Sequence, residues 1–247
     1  MPCAPIHQPI FLRPEIMKGV LITRPEPGAS DTAARIAALG HRPVLAPCMN
    51  VAPAAPIRLE QDPVAILATS AQALAALIHL PRGIRFLAVG DATAQQARDH
   101  GFSDVISAGG NAADLAMLIR RTVEPKSGVI LFAAGAEQGL QLAGQLRRGG
   151  YRITRRVAYR ASGASALPDQ AVQALRGGEI SKVLLFSGQT AASFSRLMRQ
   201  HDLVASCSGV EALVLSEQVA IVAQGLPWAQ IRVALAPNQD EILALLT

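Results

Sequence analysis

Hydrophobic and polar positions follow an order in this chain that occurs twice. Residues 85–119 contain an apolar run, a small-residue turn, a short helix pattern, a second apolar run and a closing helix pattern, and residues 213–246 repeat that order. Asn111 and Asn238 stand at the heads of the two closing helices, and each is followed three residues later by an acid, which is close to a capping box. A repeated strand–turn–helix unit predicts a duplicated α/β architecture.

The rest of the chain falls into units of the same two kinds. Residues 19–47 (unit A) have the pattern of a strand, a loop, a helix, a glycine stop and a second strand, and residues 128–157 (unit A′) repeat it. Residues 64–119 (unit B) and 182–246 (unit B′) form the other pair. The order A, B, A′, B′ allows two arrangements. Either B joins A′ and the outer units meet across the chain, or two sequential domains form.

Composition limits the class of protein. The chain has 247 residues, which is enough for one large domain or two of about 100–130 residues. Half of the residues are hydrophobic and only 4% are aromatic, so the core must consist mainly of Ala, Val, Leu and Ile, as in buried parallel strands. No apolar run approaches the roughly 18 residues of a membrane span. Three scattered cysteines form no CxxC pair, which disfavours a metal site and a disulfide framework and favours a cytoplasmic protein.

The N-terminal stretch has a different character. Residues 1–16 contain four prolines and no periodicity, and they lack the basic and apolar regions of a secretory signal. We predict that they form a disordered extension and that Met17 is a candidate start.

The net charge of +5 comes mostly from arginine, since 20 of the 23 basic residues are Arg. Arginine binds carboxylates and phosphates through a planar two-pronged donor. A polyanionic ligand and a solvated basic surface both account for this composition. Six arginines lie between Arg147 and Arg160. Because no aromatic residues are interleaved as in a nucleic-acid-binding surface, we interpret most of this run as a solvated face.

Candidate binding residues follow the apolar runs. Neither GxGxxG nor GxxxxGK[ST] occurs, so a nucleotide-dependent enzyme is disfavoured. Ser70, Thr93 and Ser187 lie in small polar turns at predicted strand ends, where ligands bind in open α/β sheets and helix N-termini favour anions. An ordinary helix cap is the alternative role for each hydroxyl.

The histidines and tyrosines provide few candidates for catalysis or metal binding. The five histidines have neither metal-ligand spacing nor a partner set for nucleophilic catalysis, so no metal site is predicted. Tyr151 has the pattern of a strand residue. Tyr159 lies where unit A′ runs into the following connection. It either packs at a domain edge or presents a phenol that donates a proton in an interdomain cleft.

Over residues 17–247 the chain resembles the uroporphyrinogen-III synthase family. The resemblance rests on GVLITRPEPG, ALGHRPVLAP, ATSAQA, FLAVGDATA, GGNAADLA, LLFSGQTAASF and LSEQVA, together with the stretch from Gly150 to Arg160. It implies a cofactor-free enzyme of tetrapyrrole synthesis that cyclises hydroxymethylbilane, which carries eight carboxylates, with inversion of ring D and loss of water. It also implies a monomer that binds neither nucleic acid nor a membrane.

The resemblance implies an α/β fold of two similar flavodoxin-like domains, each with a parallel sheet in three layers, joined by a two-stranded linker. This favours the interleaved arrangement. The expected boundaries are residues 17–48 plus 168–247 for the discontinuous domain, 57–157 for the other domain, and 49–56 and 158–167 for the linkers.

The resemblance also carries over individual residues. Tyr159 matches the tyrosine near the family's linker and is the expected catalytic residue. One position departs from the pattern, because this chain has Val219 where many members have a threonine. The expected substrate-binding residues are Arg24, Ser70, Thr93, Ser187, Gly188, Gln189, Gln218 and Val219. The competing hypothesis is a two-domain anion-binding or sensor protein without turnover.

Overall fold

A computed structural model describes residues 18–26 and 28–247, so the predicted extension at 1–16 lies outside the described residues. The strands are β1 (Gly19–Ile22), β2 (Arg42–Leu45), β3 (Met49–Pro53), β4 (Ala65–Ala68), β5 (Arg85–Ala88), β6 (Val105–Ser107), β7 (Val129–Gly135), β8 (Arg152–Gly163), β9 (Ile180–Leu185), β10 (Glu211–Val214) and β11 (Gln230–Val233). The α-helices are α1 (Gly28–Ala38), α2 (Asp91–Asp99), α3 (Ala112–Thr122), α4 (Leu140–Arg148), α5 (Asp169–Arg176), α6 (Gly188–Gln200), α7 (Glu217–Ala223) and α8 (Gln239–Ala244). Two 3₁₀ helices span Ala71–Leu77 and Val204–Gly209. None of the helices described is long and apolar enough to cross a membrane.

The first sheet joins the two ends of the chain. Its strand order is β11-β10-β9-β1-β2, and all neighbouring strands are parallel. Leu21 in β1 lies opposite Val183 in β9 and Val44 in β2. The first strand therefore pairs with a strand of unit B′ and not with unit B, which is the interleaved order.

The second sheet contains the middle of the chain and has the order β3-β8-β7-β4-β5-β6. Strands β8, β7, β4, β5 and β6 run parallel, whereas β3 pairs antiparallel with the end of β8, from Met49 opposite Gly163 to Pro53 opposite Tyr159. The first part of β8 pairs with β7. Strand β3 and the second part of β8 thus form the two-stranded linker.

Each sheet has a hydrophobic core on both faces, because successive residues of a strand point to opposite sides. Val20 and Ile22 pack into one core of the first sheet, and Leu21 between them packs into the other. The second sheet divides in the same way, with Ile66 on one face and Leu67 on the other. This is why the strands are uniformly apolar, and it produces the three-layer fold that the sequence predicts.

A capping box at α3 provides a test of local stability. The Asn111 side chain accepts a hydrogen bond from the Ala113 N–H at 2.7 Å, and the Asp114 carboxylate accepts one from the Asn111 N–H at 2.8 Å. We expect Asn111→Ala to lower the free energy of unfolding by about 1 kcal/mol, measured by urea denaturation. Gln95→Ala on the exposed face of α2 is the control, with an expected change below about 0.5 kcal/mol. Equal effects of the two substitutions would contradict the capping role.

Candidate active site

A cavity of about 360 Å³ lies between the carboxyl edges of the two sheets. The loops after β1 and β9 line it from the first sheet, and the residues that follow β4, β5 and β7 line it from the second. Strands β3 and β8 of the linker close one side. Because parallel strands end at the same edge, residues far apart in the chain meet here.

Six of the nine predicted site residues line this cavity, and three do not. The residues that line it are Arg24, Ser70, Thr93, Tyr159, Ser187 and Gln189. Gly188, Gln218 and Val219 are absent from the lining. The structure therefore brings together predicted residues from unit A, unit B, the start of unit B′ and the linker strand β8. It leaves Gly188 and the two residues of α7 outside.

The position of α7 follows from its packing. Val219 is 5% exposed and belongs to a core of the first sheet. Its backbone N–H already donates to the Ser216 carbonyl at 3.0 Å. Gln218 is exposed on the same helix. Val219 is thus a core residue in this arrangement.

The serine hydroxyls are helix caps as well as cavity residues. Ser70 accepts from the Gln72 N–H at 3.3 Å at the start of the 3₁₀ helix, and Ser187 accepts from the Thr190 N–H at 3.1 Å at the start of α6. Thr93 lies in the first turn of α2 and is nearly buried. The two roles considered for the serines are therefore compatible, since capping places each hydroxyl at a helix N-terminus that borders the cavity.

Arg24 is the one charged side chain among the described residues that line this cavity. Its guanidinium stacks over the Phe186 ring at 4.5 Å, and Nη1 donates to Gln239 Oε1 at 2.9 Å and to Thr32 Oγ1 at 3.3 Å. Gly28 lets the guanidinium approach the backbone, because a Cβ there would lie 2.5 Å from it.

The electrostatic state of Arg24 favours a carboxylate ligand. Burial lowers the pKa of Arg24, and the charges of Asp31 and Glu26 oppose that shift. An arginine nevertheless stays protonated. In the described part of the chain, no carboxylate forms an ion pair with Arg24. A partly desolvated cation whose hydrogen-bond partners are neutral therefore lines the cavity, where a carboxylate would bind it strongly.

Tyr159 reaches the cavity because β8 contains a bulge. Ala134 pairs with Val157, but the next residue, Gly135, pairs with Tyr159, so Ala158 is an extra residue on β8. Bulges redirect side chains at the edges of active sites. Here Ala158 and Tyr159 enter the same core, and the Tyr159 ring lies against Gly135, where a Cβ would come within 2.9 Å of the ring.

The Tyr159 phenol is protonated and hydrogen-bonded. Its hydroxyl donates to Gln138 Oε1 at 2.6 Å. Burial raises the pKa of Tyr159, and hydrogen bonding from Ser70 and from the Gly135 backbone partly opposes the shift. Since the ordinary value is already near 10, the phenol carries its proton at neutral pH. It has the protonation state that a general acid needs.

A second cavity of about 270 Å³ adjoins the first. Gln138, Tyr159, Ala161 and Gln189 line both cavities. Arg160, which is exposed on the linker strand, lines only the second. The Tyr159–Gln138 pair therefore lies where two parts of one cleft meet.

The sequence reasoning missed most of the amide side chains in the cleft. Gln72 lines the first cavity, and its Nε2 donates to the Glu26 carbonyl at 2.5 Å. This hydrogen bond joins the loop after β1 of the first sheet to the residues after β4 of the second. Gln72 in unit B occupies the same position as Gln189 in unit B′. Because Gln189 was a predicted site residue, the repeat could have identified Gln72 as well. Gln138 carries only a weak signal, its position just after the carboxyl end of β7. In the described ranges, no group of three or more His, Cys, Asp and Glu residues is placed to hold a metal ion.

Fold and site together define a class, the two-domain α/β proteins with a cleft between their parallel sheets. Comparison with known proteins then identifies the family. The family description "Uroporphyrinogen-III synthase HemD" matches residues 30–244. The chain belongs to the uroporphyrinogen-III synthase family, and it is an enzyme of haem biosynthesis whose substrate is a small tetrapyrrole.

Two solved structures have a similar fold. The structure of uroporphyrinogen-III synthetase from Helicobacter pylori is 16% identical, covers 93% of this chain and 98% of its own, and has a TM-score of 0.58. A mutant uroporphyrinogen-III synthase from Thermus thermophilus is 18% identical, with 92% and 96% covered and a TM-score of 0.50. At these identities the likeness shows the fold alone. No curated protein matches the chain.

Proposed function

We propose that this protein cyclises hydroxymethylbilane to uroporphyrinogen III, with inversion of ring D and loss of water. The main observation in support is the cleft. One cavity is lined by the Arg24 guanidinium, whose hydrogen-bond partners are neutral, by capped helix N-termini, and by the protonated phenol of Tyr159. A linear tetrapyrrole is larger than either cavity alone. We therefore place the substrate across both, with the Tyr159–Gln138 pair near its middle.

The chemistry requires one proton and much positioning. The substrate's hydroxymethyl oxygen leaves as water after it takes a proton from Tyr159, directly or through a water molecule. The electrons of the pyrrole then form an azafulvene, whose exocyclic carbon is the electrophile. The substituted carbon of ring D attacks it first and gives a spiro intermediate. The original bond from that carbon to the methylene of ring C then breaks and leaves a second azafulvene on ring C, which the free α-carbon of ring D attacks to close the inverted ring. Loss of the proton from that α-carbon restores the pyrrole and returns a proton to the Tyr159 phenolate. Holding the substituted carbon in place is catalysis by positioning.

Carboxylate binding supplies the positioning energy, since contacts remote from the reacting carbon can be used for orientation. Arg24 provides a charge-assisted contact, and Thr93 lies in the first turn of α2, whose N-cap Gly90 makes no side-chain cap bond. The other proposed contacts are Ser70, Ser187 and Gln189 from the lining, and Gly188 and Gln218 for substrate groups that extend beyond it. Val219 is not among them, because it is buried in a core.

We further propose that the enzyme is a cytoplasmic, monomeric hydro-lyase that needs no cofactor and binds no nucleic acid. Cyclisation with loss of water leaves the oxidation state of the substrate unchanged, so the reaction requires neither an oxidant nor a reductant. The cleft is assembled from one chain. The domain boundaries that we propose are those of the interleaved arrangement, with linkers at 49–56 and 158–167.

The product isomer tests the function. Hydroxymethylbilane is incubated with and without the protein, and the ratio of inverted to uninverted uroporphyrinogen is measured. We expect the inverted isomer to predominate only with the protein. A two-domain binding protein would bind the substrate and leave the isomer ratio unchanged, and that result would overturn the proposal.

Ionic strength tests how the carboxylates are held. The Debye length falls from about 30 Å at 0.01 M salt to about 8 Å at 0.15 M. If arginine charges hold part of the substrate, the KM should rise by at least about twofold over this range, measured from initial rates. A KM that stays flat would instead indicate recognition by uncharged groups such as backbone amides.

A further inference from the structure

The loop between β7 and α4 is held by an arginine that lies outside both cavities. Arg155 Nε donates to the Gln138 carbonyl at 2.9 Å, and Nη2 donates to the carbonyls of Gly135 at 2.6 Å and Ala136 at 2.7 Å. One half-buried arginine thus binds the last carbonyl of β7 and two carbonyls of the four-residue loop that follows it. Arginine suits this task because its donors form a rigid planar fork, whereas a lysine carries a single ammonium group.

The same loop carries the hydrogen-bond partner of the phenol. Gln138 Oε1 accepts from the Tyr159 hydroxyl at 2.6 Å, and the Ala136 N–H donates to the Tyr159 carbonyl at 3.1 Å. Gly135 packs against the Tyr159 ring, where a Cβ would come within 2.9 Å. The loop therefore contacts Tyr159 at its hydroxyl, its ring and its backbone.

From this geometry we infer that Gln138 and Arg155 are positioning residues that act through Tyr159. Gln138 fixes the direction of the phenol O–H, and Arg155 fixes the loop that presents Gln138. Without Gln138 the hydroxyl would turn toward the other groups beside it, Ser70 and the Gly135 backbone. This inference deepens the proposed function and rests on it for the meaning of Tyr159, but the contacts can be tested without turnover.

A double-mutant cycle tests Gln138. Gln138→Met keeps the side-chain length and removes the acceptor, and we expect it to lower kcat about threefold to tenfold while KM stays within about twofold, the size of effect that one hydrogen bond has. In a Tyr159→Phe background the same change should lower kcat by less than about twofold, because no hydroxyl remains to be oriented. Equal effects in both backgrounds would overturn the inference.

Arg155 has a matched control in the same region. Arg147 on α4 donates from Nη2 and Nε to the Ile153 carbonyl of β8, away from the loop. Arg155→Lys keeps the charge and loses the fork, and it should lower kcat about as much as Gln138→Met. Arg147→Lys should leave kcat within about twofold. If both lysine variants lower kcat equally while remaining folded, Arg155 has no special link to Tyr159.

Raman spectroscopy separates this inference from the proposed function. Tyr151→Phe leaves Tyr159 as the single tyrosine of the chain. The tyrosine Fermi doublet in the ultraviolet resonance Raman spectrum reports whether a phenol donates a hydrogen bond. We expect a donor signature in the Tyr151→Phe protein and a weaker one when Gln138→Met or Arg155→Lys is added, because the hydroxyl loses its 2.6 Å acceptor. An unchanged doublet would overturn the inference whatever the turnover. A protein that fails to produce the inverted isomer but shows the expected doublet would refute the proposed function and leave the positioning contacts supported.

Discussion

Tyr159→Phe is expected to lower turnover of hydroxymethylbilane about tenfold or more and to leave KM nearly unchanged. General acid catalysis typically contributes about 10²–10⁴-fold, and a lone phenol with a high pKa should contribute at the low end of that range. The ring is retained, so its packing against Gly135 and its share of the core persist. Steady-state kinetics together with the product isomer ratio measure the effect.

Thr93→Ala is the matched control for the Tyr159 substitution. Thr93 lines the same cavity, but it lies in the first turn of a helix, so its loss leaves neighbouring backbone N–H groups in place. We expect a weaker effect than that of Tyr159→Phe. If Tyr159→Phe turns over like the wild type and still produces the inverted isomer, Tyr159 is only a packing residue.

Arg24→Met should raise the KM for hydroxymethylbilane about tenfold to a hundredfold. Hydrogen bonds to a charged group contribute about 1.5–3 kcal/mol, and Arg24 is the cation whose partners in the cleft are neutral. Methionine keeps an apolar stem against Phe186. Arg24→Lys should have an intermediate effect, because it keeps the charge without the planar fork. The measurement is the KM at fixed ionic strength.

Arg82 provides the control for Arg24. Its guanidinium stacks over the Phe102 ring at 4.6 Å and donates to the Leu77 carbonyl, and it lies outside both cavities. Arg82→Met therefore removes a similar arginine–aromatic contact without touching the cleft. We expect a KM within about twofold of wild type. A comparable rise in KM for both substitutions would show that Arg24 acts through stability or overall charge.

The local elements were predictable because their causes are local. A strand buried on both faces must be apolar throughout, as Val20, Leu21 and Ile22 are, and such runs are visible without a structure. The Asn111 cap was predictable for the same reason, since its partners lie within three residues. The serine turns that line the cleft follow from strand ends, which ordered apolar runs locate.

The pairing of these elements depended on contacts between distant residues. The repeat A, B, A′, B′ allowed two arrangements, and the strands that neighbour β1 distinguish them. The spacing of residues along the chain does not show which strands form hydrogen bonds with each other. Val219 shows the same limit. The family resemblance placed it among the expected substrate-binding residues, but packing against the first sheet buries it in a core.

The amino-acid sequence by itself determined the strands, the caps, the duplicated α/β class and the cavity-lining positions of Ser70, Thr93 and Ser187, since each depends on neighbours along the chain. Only the tertiary structure decided what Arg155 does. In the sequence it belongs to a basic run of the kind that covers a solvated surface. In the fold its guanidinium binds three carbonyls, one at the end of β7 and two in the loop that carries Gln138. Those carbonyls lie 17 to 20 residues away, and the parallel pairing of β8 with β7 brings them within reach.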